Sequence, residues 1–255
     1  MESTILKFIT ILKNEGFKNT VRKSARYILN ICRNTKYRSM LKKSNLADKF
    51  TNIYDENLWS SPESVSGTGS ELKSTIRLRR WLIKTIPSLA IEKIVDAPCG
   101  DFNWMQYVVN EVDIKYIGID IVPELIFQNQ KKFADENISF ITGNVCEDLI
   151  PDCDLLITRD CLFHLSFGDI DKFLKNLSNV NYRYLLTTSH LVENKLANRD
   201  IISGDYRHIN LFLPPFNFNP NSVVDRVCDC LLEATLKKEM VLVEKRDVPT
   251  SLYIS

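Results

Sequence analysis

The chain has 255 residues, 44% of them apolar and 25% charged, with 8 Gly and 9 Pro. That composition suits one α/β domain plus an extension and excludes disordered, collagen-like and low-complexity classes. No stretch approaches the ~20 apolar residues that a membrane-spanning helix needs, and Lys7 breaks the first apolar cluster, so a soluble, cytoplasmic protein without a leader is expected.

The net charge of +1 hides an asymmetry: residues 1 to 50 carry 12 Lys/Arg against 3 Asp/Glu, and residues 51 to 255 carry 21 against 29. Val21, Ala25, Ile28, Leu29 and Cys32 recur at helical spacing among Arg22, Lys23, Arg26 and Arg33, which predicts a basic amphipathic helix. It reads as a docking surface for anionic lipid, a phosphate-bearing substrate, nucleic acid or a protein, or more plainly as a helical layer with its basic side chains in water. The acidic remainder argues against broad nucleic-acid binding. Seven cysteines, without paired C-x-x-C spacing, are expected to be reduced, and no metal site is expected.

Residues 1–58 are assigned to a basic helical extension and 59–255 to the main domain. Small polar residues at 60–70 form a loop, and Thr68 with Glu71 has capping-box form ahead of a helix whose apolar stripe is Leu72, Ile76, Leu82, Ile83 and Ile86, ending at Pro87. Strand-like runs follow: KIVDAP at 93, YIGIDI at 116, ISFITG at 138, DLLITRD at 154 and YLLTTS at 184. Helical patterns occupy 102–110, 123–135 and 168–179, and the alternation predicts a Rossmann-like, doubly wound α/β domain with a mostly parallel sheet. Near the end, MVLVEKR and SLYIS, separated by Pro249, suggest an antiparallel edge pair.

Ligands of such sheets bind beyond the carboxyl ends of the strands. Asp120, at the end of the second run, lies 20 positions after Gly100, close to the spacing at which a carboxylate meets ribose hydroxyls; its plainer role is a helix cap before Pro123. The loop DAPCGDFNWM lacks the glycines that a dinucleotide fingerprint needs. Pro98 removes an amide, Phe102 adds bulk, and Asp96 and Asp101 put negative charge where a diphosphate has to lie. Those carboxylates suit the sulfonium and ammonium of S-adenosylmethionine, for which Trp104 offers an aromatic face if it is not simply core. An NAD-dependent dehydrogenase is the outlying alternative.

The segments VDAPCGDFNWM, YIGIDIVPELI and ITRDCLFHLSFGDI resemble class I S-adenosylmethionine-dependent methyltransferases, over about residues 50 to 220, and most of all a bacterial group with SGxGS ahead of the core and RDCLxHL after the fourth strand. The usual D-x-G-x-G is D-A-P-C-G here, and Asn144 stands where an acidic residue is usual. The resemblance implies that Asp96 holds the donor's amino group, Gly100 allows close backbone approach, and Asp120 binds ribose. It implies that Ile121 packs on adenine with Asn144 and Val145 closing that pocket, and that Asp160 faces the donor's amino-acid part or the acceptor. Thr75 and Arg79 match its T-x-x-x-R pattern as a carboxylate clamp, although Arg77, Arg79 and Arg80 also read as a solvated face.

Methyl transfer needs the nucleophile aligned with the methyl carbon, and a hydroxyl nucleophile must also lose its proton. His164, four residues after Asp160, is the candidate base with Asp160 as its alternative; His190 follows the fifth strand and is a substrate-side candidate, and each histidine also reads as structural. Residues 198–218 read as a lid or acceptor loop, with Asp205, Tyr206, Arg207 and Asn210 as contacts, or as a surface loop tied down by Phe216 and Phe218. The resulting expectation is methyl transfer to an oxygen of a glycan or small metabolite. The alternatives are an RNA or protein methyltransferase docking through the basic N-terminus, and a methyltransferase-like module without activity.

Overall fold

The computed structural model describes residues 37, 39–42, 45–59, 61–192, 198–231 and 237–253. The chain divides into two compact units, Met1–Ser44 and Asn45–Ser255. In the first, Tyr37 and residues 39–42 are helical; the expected amphipathic helix at 21–33 lies outside the described residues. The second unit begins at Asn45 rather than at 59, because helix α1 (Leu46–Asp55), N-capped by the Asn45 side chain on the Asp48 amide, is part of it.

Apolar runs become the strands β1 (Lys93–Asp96), β2 (Lys115–Asp120), β3 (Ile138–Thr142), β4 (Leu155–Thr158) and β5 (Tyr184–His190), covered on both faces at the sheet centre and on one face at the edge strand β3. Two further strands, β6 (Val223–Cys228) and β7 (Lys238–Glu244), complete a sheet ordered β3-β2-β1-β4-β5-β7-β6. The first five are parallel; β7 runs antiparallel between β5 and β6. Helices α2 (Leu72–Ser88), α3 (Gln106–Val109), α4 (Pro123–Phe133) and α5 (Phe167–Ser178) cover the faces. Alternate strand residues feed two cores. Val95, Leu156, Leu185 and Val241 pack with Phe173 and Leu177 of α5, while Ile94, Ile157, Leu186 and Leu242 pack with Leu78, Leu82 and Ile86 of α2. Each such Leu or Ile, truncated to Ala, removes ~2–5 kcal/mol.

Five sequence expectations change. The Thr68–Glu71 capping box is absent: Thr68–Ser70 form a 3-10 turn, Glu71 turns to Ser61 Oγ at 2.8 Å, and Glu63 Oε1 accepts the Leu72 amide at 2.6 Å. Pro87 lies within the last turn of α2, and Ile76 is exposed while Thr75 occupies the buried stripe. The expected helix at 102–110 shrinks to α3, because the loop before it is held by side-chain bonds. The partner of β7 at the sheet edge is β6, not SLYIS: Leu252 instead donates its amide to Asp171 Oδ1 at 2.9 Å.

Candidate active site

A cavity of about 420 Å3 opens beyond the carboxyl ends of β1, β2, β4 and β5, where a parallel sheet of this winding leaves a crevice. Leu46, Phe50 and Tyr54 of α1, Trp59 and the Ser66–Ser70 loop form its remaining wall. All of these residues belong to the second unit.

At the β1–β2 end the wall is backbone held by carboxylates. Asp120 Oδ2 accepts from the Gly100 amide at 3.0 Å and Oδ1 from the Val122 amide at 3.1 Å. Gly100 has φ +57°, a conformation that favours glycine, and a Cβ there would strike Ser66. Asp96 Oδ2 accepts from the Tyr116 hydroxyl at 2.9 Å. Burial pushes Asp96 up to about 7 against the opposing Tyr116 bond and Arg159, and pushes Asp120 up to about 6 against the Val122, Gly100 and Ile121 amides. Two buried carboxylates that ionise this reluctantly favour a cationic ligand.

A diphosphate does not fit the same loop. Pro98 has no amide, the Cys99 amide donates to Ile119 O at 2.8 Å, Gly100 donates to Asp120, and the Asp101 amide donates to Ser66 Oγ at 2.9 Å. No loop amide from 98 to 101 is left for phosphate, and the facing side chains are acidic. S-adenosylmethionine, cationic and free of phosphate, fits: Asp120 retains lone pairs for vicinal hydroxyls, Asp96 faces the cavity, and Ile121, Asn144, Val145, Pro98 and Trp104 line it. The Asn144 side chain is committed locally, its Oδ1 accepting from the Cys146 amide at 3.0 Å. The Arg159 guanidinium lies 5.3 Å from the centre of the Trp104 ring, so one aromatic face is already taken by a protein cation.

At the β4–β5–β7 end the wall is a charge cluster. Asp160, at φ +52°, is gripped by Lys238 Nζ through both carboxylate oxygens, with Arg159 Nη1 3.5 Å away. Asp229, wholly buried, accepts from Arg159 Nε at 2.9 Å and lies 3.2 Å from Lys238 Nζ. A Cβ at Gly69 would stand 2.7 Å from Asp160 Oδ2, so glycine is required where the loop crosses this cluster. Burial raises the Asp160 carboxyl, but Arg159 and Lys238 outweigh it and hold it far below the usual carboxylate range. Asp160 is therefore a fixed anion and not a proton acceptor, which removes it as candidate base.

Beside the cluster stands an aromatic group. His164, in a 3-10 turn after β4, is packed between Trp59 and Phe163 with ring centres 5.4 and 4.6 Å away. Its Nδ1 lies 2.9 Å from Asp205 O. A carbonyl only accepts, so Nδ1 carries the proton and Nε2 keeps its lone pair. Burial lowers the His164 pKa against the Asp205 bond and Asp160, so the ring is neutral at pH 7. His190 has the opposite tautomer, since the Ile209 amide donates to its Nδ1 at 3.3 Å and Nε2 faces the Tyr206 hydroxyl at 3.5 Å. Burial, with His208 next to it, presses His190 down to about 4. The cavity thus holds one imidazole set to accept a proton and another set to donate a hydrogen bond.

Several expected contacts lie elsewhere. Thr75 is buried in α2 with its hydroxyl on Glu71 O at 3.1 Å, and Arg79 Nη2 donates to Leu72 O at 2.9 Å beneath the Tyr107 ring, so neither reaches the cavity and the clamp is not formed. The Asp101 carboxylate accepts from the Val65 and Asn103 amides and fastens the loop from outside the cavity. In the 198–218 segment only Tyr206 lines the cavity. Arg207 is buried on Leu165 O and under Phe167, Asn210 holds the Val192 carbonyl and Phe212 amide, and Asp205 contributes its carbonyl to His164. Trp59, Arg159, Lys238 and Asp229 were not singled out in the sequence. Arg159, next to Asp160 at a strand end, carried the one positional signal; Trp59, Lys238 and Asp229 carried none. Among the described residues no group of three His, Cys, Asp or Glu is arranged to hold a metal.

A family model described as a methyltransferase domain matches residues 94–181. No curated protein matches the chain in sequence. Among solved structures, the chain is similar to a SAM-dependent methyltransferase from Leishmania major at 16% identity and TM-score 0.55, over 81% of this chain and 89% of that one. It is similar to the 1,6-didemethyltoxoflavin-N1-methyltransferase of Burkholderia thailandensis, solved with S-adenosylhomocysteine, at 16% identity and TM-score 0.54, over 78% and 86%. It is similar also to human N-acetylserotonin methyltransferase, solved with SAM, at 14% identity and TM-score 0.50, over 78% of this chain and 59% of that one. At these identities the likeness is one of fold.

Proposed function

We propose that this chain is an S-adenosylmethionine-dependent methyltransferase that methylates a hydroxyl of a small molecule, with His164 as the general base. The observation that carries the reading is the Nδ1 bond of His164 to the Asp205 carbonyl, which leaves an unprotonated Nε2 on a ring lining the cavity. The bound donor supplies an electrophilic methyl group on a sulfonium whose charge is lost in the transfer. Asp120 and Asp96 hold the donor's polar atoms, and the Ser66–Ser70 loop with α1 walls the other side of the site. His164 Nε2 takes the hydroxyl proton as the oxygen becomes nucleophilic, an effect worth ~10²–10⁴-fold in rate. Trp59 and Phe163 fix the imidazole plane, and His190 with Tyr206 offers hydrogen bonds that orient the acceptor.

Size supports a small acceptor. A cavity of about 420 Å3 lies near the lower end of the ~300–1,000 Å3 usual for ligand sites, and it must hold donor and acceptor together. The test is donor turnover with a panel of phenols, monosaccharides and primary amines, followed as release of S-adenosylhomocysteine. Turnover of a hydroxyl compound that drops at least ~100-fold in His164→Asn, with S-adenosylhomocysteine affinity kept, is the expected result. Methylation of amines alone, or full activity in His164→Asn, contradicts the reading.

A further inference from the structure

Cys228 ends β6, and Cys230 follows after one residue. Their Sγ atoms lie 3.4 Å apart, and Arg77 Nη1 of α2 donates to Cys228 Sγ at 3.3 Å. Both thiols are partly exposed, whereas Cys99, Cys146, Cys153 and Cys161 are buried. Burial pushes the buried thiols up, Cys146 and Cys153 to about 12. At Cys228 burial also raises the thiol, but the hydrogen bonds from Cys230 and Arg77 outweigh it and the net direction is down. Among the described cysteines, the thiolate chemistry is concentrated at this pair.

Asp229, between the two cysteines, is the buried carboxylate that holds Arg159 Nε at 2.9 Å, Arg159 Nη2 at 3.1 Å and Lys238 Nζ at 3.2 Å. Arg159 and Lys238 both line the cavity and both contact Asp160. A Cys228–Cys230 disulfide brackets Asp229, so oxidation acts on the two neighbours of the residue whose carboxylate holds both cations.

We propose that Cys228 and Cys230 form a thiol–disulfide exchange site which, through Asp229, sets how tightly the cavity binds its nucleoside ligand. The Cys228 thiolate attacks one sulfur of a low-molecular-weight disulfide such as oxidised glutathione, releasing one thiol and leaving a mixed disulfide on Cys228. Cys230 gives up its proton to solvent and attacks the Cys228 sulfur; the Cys228–Cys230 bond forms and the second thiol leaves with a proton. Two protein thiols are oxidised and one small disulfide is reduced, with no further reactant.

The experiment treats the full chain with oxidised glutathione, maps its peptides by mass, and titrates S-adenosylhomocysteine calorimetrically before oxidation, after it, and after dithiothreitol. The expected result is a Cys228–Cys230 link, a ~10-fold weaker affinity in the oxidised protein, and recovery on reduction. Cys228→Ser and Cys230→Ser should bind like the reduced wild type and lose the response. A persistent glutathione adduct on either cysteine, a link involving Cys32 instead, or equal affinity in both states overturns the proposal. The coupling rests on the donor reading: no binding by the reduced protein overturns both, while binding that oxidation leaves unchanged overturns this proposal alone.

Discussion

At the ends of β1 and β2 the cavity wall is main chain pinned by two acidic side chains, Asp120 on the Gly100 and Val122 amides and Asp96 on Tyr116. At the ends of β4, β5 and β7 it is side chain throughout: two cations and two anions sharing contacts, next to stacked Trp59, Phe163 and His164. The first construction is rigid and local, and it suits a ligand part that is always the same. The second depends on many independently variable side chains and suits the part of the site that chooses an acceptor. The two halves should therefore fail differently when altered.

The largest effect is expected from Lys238→Met, which leaves Asp160 and Asp229 to share Arg159. Breaking a mostly buried ion pair from one side costs about 3 kcal/mol, so thermal melts should show a marked loss of stability. A melting temperature equal to the wild type's would mean that the charge cluster is incidental.

Next comes His164→Asn, with a fall in kcat of ~10²-fold or more at unchanged S-adenosylhomocysteine affinity. The wild-type rate should rise with pH through an apparent pKa below 6.5 and stay flat from pH 7 upward, since burial keeps the imidazole neutral there. A rate still climbing steeply above pH 8 would point to a different base.

A pH-dependent effect probes the donor half. Burial lifts Asp96 from 3.8 to about 7, so its contribution to stability is fully present below pH ~4 and is lost as pH rises toward 7. The melting temperature of Asp96→Asn should therefore gain on that of the wild type between pH 4 and 7 and run parallel above. A difference independent of pH contradicts the assigned burial. The smallest effect is expected for Arg79→Ala: its side chain serves Leu72 O outside the cavity, so donor affinity should change less than ~2-fold, within the range of a distant surface change. A tenfold loss would restore the clamp.

The contrast also explains what was legible in the sequence. Asp96, Gly100 and Asp120 lie at or just after consecutive strand ends, where parallel pairing of β1 with β2 brings them together, so spacing singled out Asp120 and Gly100 and the resemblance added Asp96. The central parallel strands β1, β4 and β5 could be read because they are buried on both faces, and β2 and β3 because their apolar residues sit between turn signals. By contrast, β6 is an edge strand whose Asp225 and Arg226 are exposed, and its pattern is too weak to read. Lys238 reaches the site because β7 pairs with β5 in a register that sets it opposite His190, and that register is not a property of either segment alone. Thr75 and Arg79 had suitable helical spacing but the wrong face, because Thr75 joined the buried stripe in place of Ile76.

The central claim is a phosphate-excluding, acid-walled pocket for S-adenosylmethionine. Titration of S-adenosylhomocysteine by calorimetry into the wild type and Asp120→Ala at pH 7.5 tests it most directly. The account predicts micromolar binding to the wild type and at least ~10-fold weaker binding to the variant, the worth of one charge-assisted hydrogen bond. No heat from the wild type, or equal affinity in the two proteins, would contradict it.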